Sequence, residues 1–233
     1  MGFLEELLRG LLSQGPWVFM GYLVVLGALS YAYRQIRRRR KVAALARPFG
    51  LRPLVAEPSL LGLLRYSPGL TGTFHGQAVR LTVEHARTNG ESSTFRVTTI
   101  LRLRVEPFLS ADLAAERHRG MSRLMRALGV RDVTLDGTAL ERLLDLYALG
   151  PRDRAVLRLP QVDAALAALL NAADDWRFVR GDLQLRKHSS SFGMLKVAET
   201  LLTRAREVAV VLSSPEVAEV LQDVPERTSV WSA

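Results

Sequence analysis

Cysteine is absent from the 233 residues, which excludes disulfides, thiolate catalysis and Cys-ligated metal centres. Histidine is scarce. The four, His75, His85, His118 and His188, contain no i,i+4 pair, and no HExxH signature or carboxylate run with metal-ligand spacing accompanies them. Phosphate-cradling glycine loops of the G-x-x-x-x-G-K-[ST] or G-x-G-x-x-G kind are missing, as is the G-x-S-x-G nucleophile elbow. The sequence therefore nominates no catalytic residue, no metal ligand and no cofactor. Between Gly10 and Tyr33 there is also no ionisable side chain apart from tyrosines.

What is present begins with apolar content and charge. Hydrophobic residues make up 48% of the chain, enough for a real core and too many for a disordered polymer. The formal charge of +9 suggests a nucleic-acid binder until it is located. Arg34, Arg37, Arg38, Arg39, Arg40 and Lys41 supply six of those charges within eight positions. Removing them from +9 and restoring the single net negative charge of residues 1–33 leaves +4 for residues 42–233. The basicity is mostly one short run.

That run follows "WVFMGYLVVLGALSYAY", residues 17–33. Gly15-Pro16 is a good helix start, because proline at the first helical position forfeits no hydrogen bond. Pro16 to Arg34 spans about 28 Å at 1.5 Å per residue, close to the ~30 Å hydrocarbon core of a bilayer. Trp17 at one edge and Tyr31 and Tyr33 at the other stand where aromatic rings favour the membrane interface. A buried core helix would have little use for that frame. A cleaved signal peptide carries its cations before the apolar run, whereas here Glu5 and Glu6 precede it and the cations follow. The expectation is a single-pass transmembrane helix in the inner (plasma) membrane, with the N-terminus outside and the C-terminal domain cytoplasmic. Trp17, Tyr31, Tyr33, Arg34, Arg37, Arg38, Arg39, Arg40 and Lys41 are its interface residues. The lipid bilayer, with its anionic inner leaflet, is the first expected partner. Nucleic acid is disfavoured, since the basic run has no interleaved aromatic for base stacking.

The rest divides into an extracytoplasmic tail at 1–15, with Phe3, Leu4, Leu7, Leu8, Leu11 and Leu12 at amphipathic helical spacing, the span at 16–34, a basic juxtamembrane helix and neck at 35–68, an α+β domain at 69–214 and a C-terminal tail at 215–233. "LTGTFHGQAVRLTVEH" (70–85) pairs two runs around His75-Gly76, and "STFRVTTILRLRVE" (93–106) follows an Asn-Gly turn. In the latter, Phe95, Val97, Thr99, Leu101, Leu103 and Val105 alternate with Arg96, Thr98, Ile100, Arg102, Arg104 and Glu106, the period of a half-buried strand. Arg80, Arg96, Arg102 and Arg104 then share a wet basic face, either merely solvated or touching an anion. Helices are predicted over 120–129, 159–175 and 191–214, the last with the stripe Leu195, Ala198, Leu201, Leu202, Ala205, Val208, Ala209 and Leu212. "WRFVRGDLQLRK" (176–187) reads as a hairpin over Gly181. Strands first and helices later make the fold class α+β, antiparallel hairpins packed with helices.

"LARPFGL", "GLTGTFHGQAVRLTVE", "DVTLDGTALERLLDLYALGP", "WRFVRGDLQLRK" and the closing apolar helix, in that order, resemble a group of bacterial membrane-anchored proteins of unknown function. In that group a G-x-x-x-G-x-x-V hairpin precedes a segment of the form I-x-T-G-D-x-x-F-D. Here Leu135-Asp136-Gly137 stands in place of Thr-Gly-Asp, and Leu140-Glu141 in place of Phe-Asp. The resemblance implies the fold and the anchor.

Dispersed polar residues offer weak chemistry. "HSSSFG" (188–193) reads as a polar turn capping the last helix, Asp174-Asp175 and Asp132, Asp136 and Glu141 as turn and helix-end carboxylates, and "RGD" (180–182) as a hairpin turn. The expected function is a membrane-tethered, non-enzymatic interaction or scaffold module that meets a protein partner or another copy of itself. The alternative is an anchored hydrolase or transferase with a site assembled only on folding.

Overall fold

The computed structural model describes residues 16–54, 69–87, 95–111, 113–117, 135, 137–190 and 193–224. The tail at 1–15, the Asn-Gly turn, the helix expected at 120–129, His118, Asp132 and Asp136 lie outside them. Two compact units are formed, residues 1–44 and 45–233. The fold class is α+β.

Helix α1 runs Pro16–Ala46 without interruption and fills the described part of the first unit. A short 3-10 turn at Arg47–Phe49 follows, closed by Gly50 in the left-handed region at φ 65°. Pro48 thus ends the α-helical run close to where the sequence predicts.

In the second unit β1 (Arg52–Pro53), β2 (Gly69–Phe74), β3 (Gln77–Arg87), β4 (Phe95–Arg104), β5 (Ala114–Arg117), β6 (Leu144–Ala148), β7 (Asp175–Val179) and β8 (Asp182–Ser189) form one sheet among the described residues. Its order is β1-β2-β3-β4-β8-β7-β5-β6, and every pairing is antiparallel. Both predicted hairpins close on two-residue turns, His75-Gly76 (φ 47° and 84°) and Arg180-Gly181 (φ 52° and 76°). Positive φ at both central positions matches the right-handed strand twist, and glycine at the second carries the larger angle without steric cost.

Alternation in each strand writes two faces, and the register joins them into rows. Leu70, Leu81, Leu101, Leu185 and Trp176 oppose one another across five strands. Val79, Leu103, Leu183, Phe178, Ala115 and Leu146 do the same one step along. All eleven are buried, and a slip by one residue would turn either row into water.

The helices of this unit are α2 (Pro151–Leu157), α3 (Pro160–Ala172), α4 (Met194–Leu212) and α5 (Pro215–Asp223). Helix α4 packs on β2, β4 and β8, with α3 beside it, while α2 meets α3 and α5. The predicted stripe on α4 is buried from Ala198 to Leu212, but Leu195 is only half-buried and Met194 is buried in its place. Gln77, itself buried, donates from Nε2 to the carbonyl of Ala209 at 3.3 Å and ties the first hairpin to α4.

Two boundaries differ from expectation. The sheet begins at β1, inside the segment read as neck, where Leu51 is buried beside Gly72: a Cβ there would approach Leu51 Cδ2 to 2.7 Å. At the other end, residues 215–223 form α5, with Val217 buried, instead of tail. Pro215 reads as the stop of α4, yet a proline also suits the first position of a new helix, as Pro16, Pro151 and Pro160 do.

Candidate functional site

Helix α1 carries every nominated interface residue. Trp17 is 83% exposed, Tyr33 65% and Tyr31 40%. Between them Met20, Tyr22, Leu23, Val24, Val25, Leu26 and Leu29 are all half or more exposed. Consecutive positions are involved, so the apolar surface encircles the helix instead of forming one stripe. Arg34, Arg37, Arg39, Arg40 and Lys41 are exposed. Helical spacing sets Arg34, Arg37 and Lys41 on one side at steps of three and four. Like charges at such steps each cost an isolated helix about 0.2–0.5 kcal/mol.

By length and hydropathy, no single described helix is long and apolar enough to cross a membrane. The reason is visible in the sequence: Gly21, Tyr22, Gly27, Ser30, Tyr31 and Tyr33 dilute the aliphatic run, and charge begins at Arg34. Helices α2 and α3 together pass that measure, but as a pair bent by 83°. Their apolar residues Val156, Leu157, Val162, Leu166, Leu169 and Leu170 are buried, which makes them core.

The second surface is the sheet face opposite α4. Pairing places Arg52, Thr71, Arg80, Arg102, Gln184 and Arg177 in one transverse row, with Arg80 directly opposite Arg102. Glu116 continues the row beyond Arg177. The four arginines are exposed, and neither Arg80 nor Arg102 has an ion-pair partner among the described residues. Arg104 and Arg186 stand on the same face. The former pairs with Glu106 and lies 3.7 Å from Asp182; the latter opposes Ile100. Arg80, Arg102 and Arg104 were legible from alternation alone, the side chain of Arg96, expected beside them, lies outside the described residues, and Arg52, Arg177 and Arg186 join the face through register. The pattern of Trp176 and Phe178 against Arg177 would have revealed one of these in advance.

The remaining polar groups hold the fold. Asp153, buried within α2, accepts from the backbone N and the Oγ of Ser110, both at 2.7 Å. Asp163 accepts from the amides of Ala139 and Leu140 at 2.8 and 2.9 Å and so caps the 3-10 turn Leu140–Arg142. Glu141 accepts from the Gly137 amide at 3.1 Å. Asp174 accepts from Lys187 Nζ at 2.6 Å and from the His188 amide at 2.8 Å. Its partial burial pushes the carboxyl up, but those two hydrogen bonds and the neighbouring positive charge outweigh this and hold it below the ordinary 3.8. The His188 ring meets Thr98 Oγ1 through Nδ1 at 3.0 Å, and Asp174 reaches its backbone, so the three do not form a relay. Ser190 Oγ accepts from the Gly193 amide at 3.3 Å just before α4. Arg180 and Gly181 make the expected turn.

A groove of about 460 Å³ runs along Gly137–Ala139, Glu141–Leu143, Ala167 and Asn171. Among the described residues no group of three His, Asp or Glu side chains is placed to hold a metal. No family model, curated protein or solved structure matches the chain. The functional reading therefore rests on its surfaces.

Proposed function

We propose that the protein is a single-pass, membrane-tethered interaction module, with its N-terminus outside and the α+β unit on the cytoplasmic side of the plasma membrane. The observation that carries this reading is the all-round exposure of aliphatic residues on α1 from Val18 to Leu29. In water such a surface is a standing cost of about 25 cal/mol per Å². The tyrosines that lower the helix's mean hydropathy are the residue type favoured at a bilayer interface, and they stand beside the cations. Crowding of Arg34, Arg37 and Lys41 on one side opposes helix formation in isolation. Anionic headgroups offset it, by roughly 1 kcal/mol for each cation at the surface.

The second unit is read as a platform for a protein partner or another copy of the chain, without catalysis of its own. Asp153, Asp163 and Asp174 are engaged by backbone amides and serve as fasteners. An anchored hydrolase or transferase remains the second reading, on the strength of the groove beside Glu141, Arg142 and Asn171. It ranks second because Glu141 already accepts from the Gly137 amide.

The test of the tether is extraction and accessibility. Carbonate washing should leave the protein in the membrane pellet, and protease outside intact cells should spare residues 47–233. Release by carbonate refutes the anchor, and digestion of the domain from outside refutes its orientation.

A further inference from the structure

The row of arginines across the open sheet face is assembled from four separate strands, β1, β3, β4 and β7. Cations directly opposite one another on neighbouring strands repel, and Arg80 faces Arg102 with Thr71 and Gln184 as their flanking neighbours in the row. Stability alone would favour an acid or a neutral residue at one of these two positions. Arg104 has that arrangement, with Glu106 and Asp182 beside it. The contrast marks the Arg80–Arg102 pair as a place where positive charge is kept without a counter-ion among the described residues.

We propose that this sheet face docks on the anionic headgroups of a phospholipid surface. The proposal rests on the tether reading, which supplies the surface. Three features choose this occupant. The row is a broad, exposed strip about 24 Å long, taken as five strand spacings of roughly 4.8 Å, which suits an extended charged plane. Its charge is complementary to headgroup phosphates and of the same sign as the basic run of α1. The described residues of the row include no aromatic, so base stacking, on which single-stranded nucleic-acid binders rely, has no platform. A second copy is a poorer match, because two such rows laid antiparallel put Arg80 against Arg102 and Arg52 against Arg177.

Lack of cysteine makes the test clean, since Ala78→Cys places a unique label on the exposed outer side of β3. The labelled full chain is reconstituted in phosphatidylcholine nanodiscs with or without phosphatidylglycerol, and a headgroup-attached quencher reads the docked fraction. Docking should appear with phosphatidylglycerol and fade with added salt. Arg80→Gln with Arg102→Gln should lower the docked-to-free ratio by tenfold or more, on the order expected for losing two surface cations. The control Lys196→Gln with Arg206→Gln removes the same charge from the wet side of α4 and should leave the ratio within about twofold. The Arg80/Arg102 double variant should melt no lower than the parent in phosphatidylcholine alone, because it relieves repulsion.

An equal loss in the control overturns the proposal, since net charge would then be the cause. So does a label that is never quenched, one quenched by a second labelled copy instead of by lipid, or one protected by an oligonucleotide in preference to phosphatidylglycerol. A chain that fails to enter phosphatidylcholine discs refutes the tether instead. The face is then read with the same label on added phosphatidylglycerol vesicles, where failure to dock overturns the proposal as well.

Discussion

Replacing Leu202 separates the two roles an apolar helix stripe can have. Leu202 lies in the middle of α4 and is fully buried, as are Leu201, Ala205 and Val208 around it. Truncation to alanine removes three buried carbons and leaves a cavity, at a cost of about 2–5 kcal/mol. Against a total stability of about 5–15 kcal/mol that is a large fraction. For a domain of this size each kcal/mol moves the melting temperature by about 2–4 °C, so Leu202→Ala should melt about 5–15 °C below the parent. Leu202→Asp adds an unpaired buried carboxylate, worth several kcal/mol more, and should abolish the cooperative transition. Val210→Ala is the internal control: Val210 is on the same helix but 47% exposed, and a surface change of that kind stays within about 0.5 kcal/mol. The assay is a circular-dichroism melt of the full chain in detergent. If Leu202→Asp melts like the parent yet recovers no partner from solubilised membranes, α4 is a docking surface and its assignment to the core is wrong.

Two smaller perturbations test the fasteners. Asp153→Ala should cost about 2 kcal/mol or more, since the buried acceptor of three hydrogen bonds, two from Ser110 and one from the Gly150 amide, is lost; Ser110→Ala should cost less, and the double variant should fall short of the sum, with full additivity in urea unfolding refuting the link. Asp174 is held below its ordinary value in the folded chain, so its contribution is fully present above pH 3.8 and is lost as pH falls through the folded value. Asp174→Asn should therefore lower stability at neutral pH slightly, given a side chain 37% exposed, and flatten the acid limb of the stability curve. An unchanged acid limb would show that the carboxylate is not coupled to folding.

How much could be read from the residues alone varied with the kind of signal. Alternation in 95–106 and the His75-Gly76 and Arg180-Gly181 turns carried strand pairing, because a two-residue turn fixes register and register fixes faces. Helix α4 was legible from its apolar period. Strand β1 was not, since two residues containing a proline carry no periodicity, and α5 was masked by a proline that serves equally as stop and start. The order of strands was also beyond the sequence: β8 lies beside β4 although about eighty residues separate them, and nothing local to either strand records that pairing. For the same reason half of the arginine row appeared only with the sheet. The sequence predicts a transmembrane helix at 16–34, and one helix runs Pro16–Ala46 with its apolar residues exposed.

The location of charge bears on function more directly than its total. A value of +9 invites a nucleic-acid reading, but six of the cations lie on α1 next to an apolar helix surface. The basic sheet row has no aromatic among its described residues. Polyanion binding by a flexible basic tail would be indifferent to which arginine is removed. Binding by this sheet would not be, because Arg80 and Arg102 are adjacent only through the pairing of β3 with β4. Position-dependence within an equal loss of charge is thus the property that separates a built surface from a merely basic protein. It is also the property that a sequence-level charge count cannot anticipate, since residues 80 and 102 are neighbours in space and strangers in the chain.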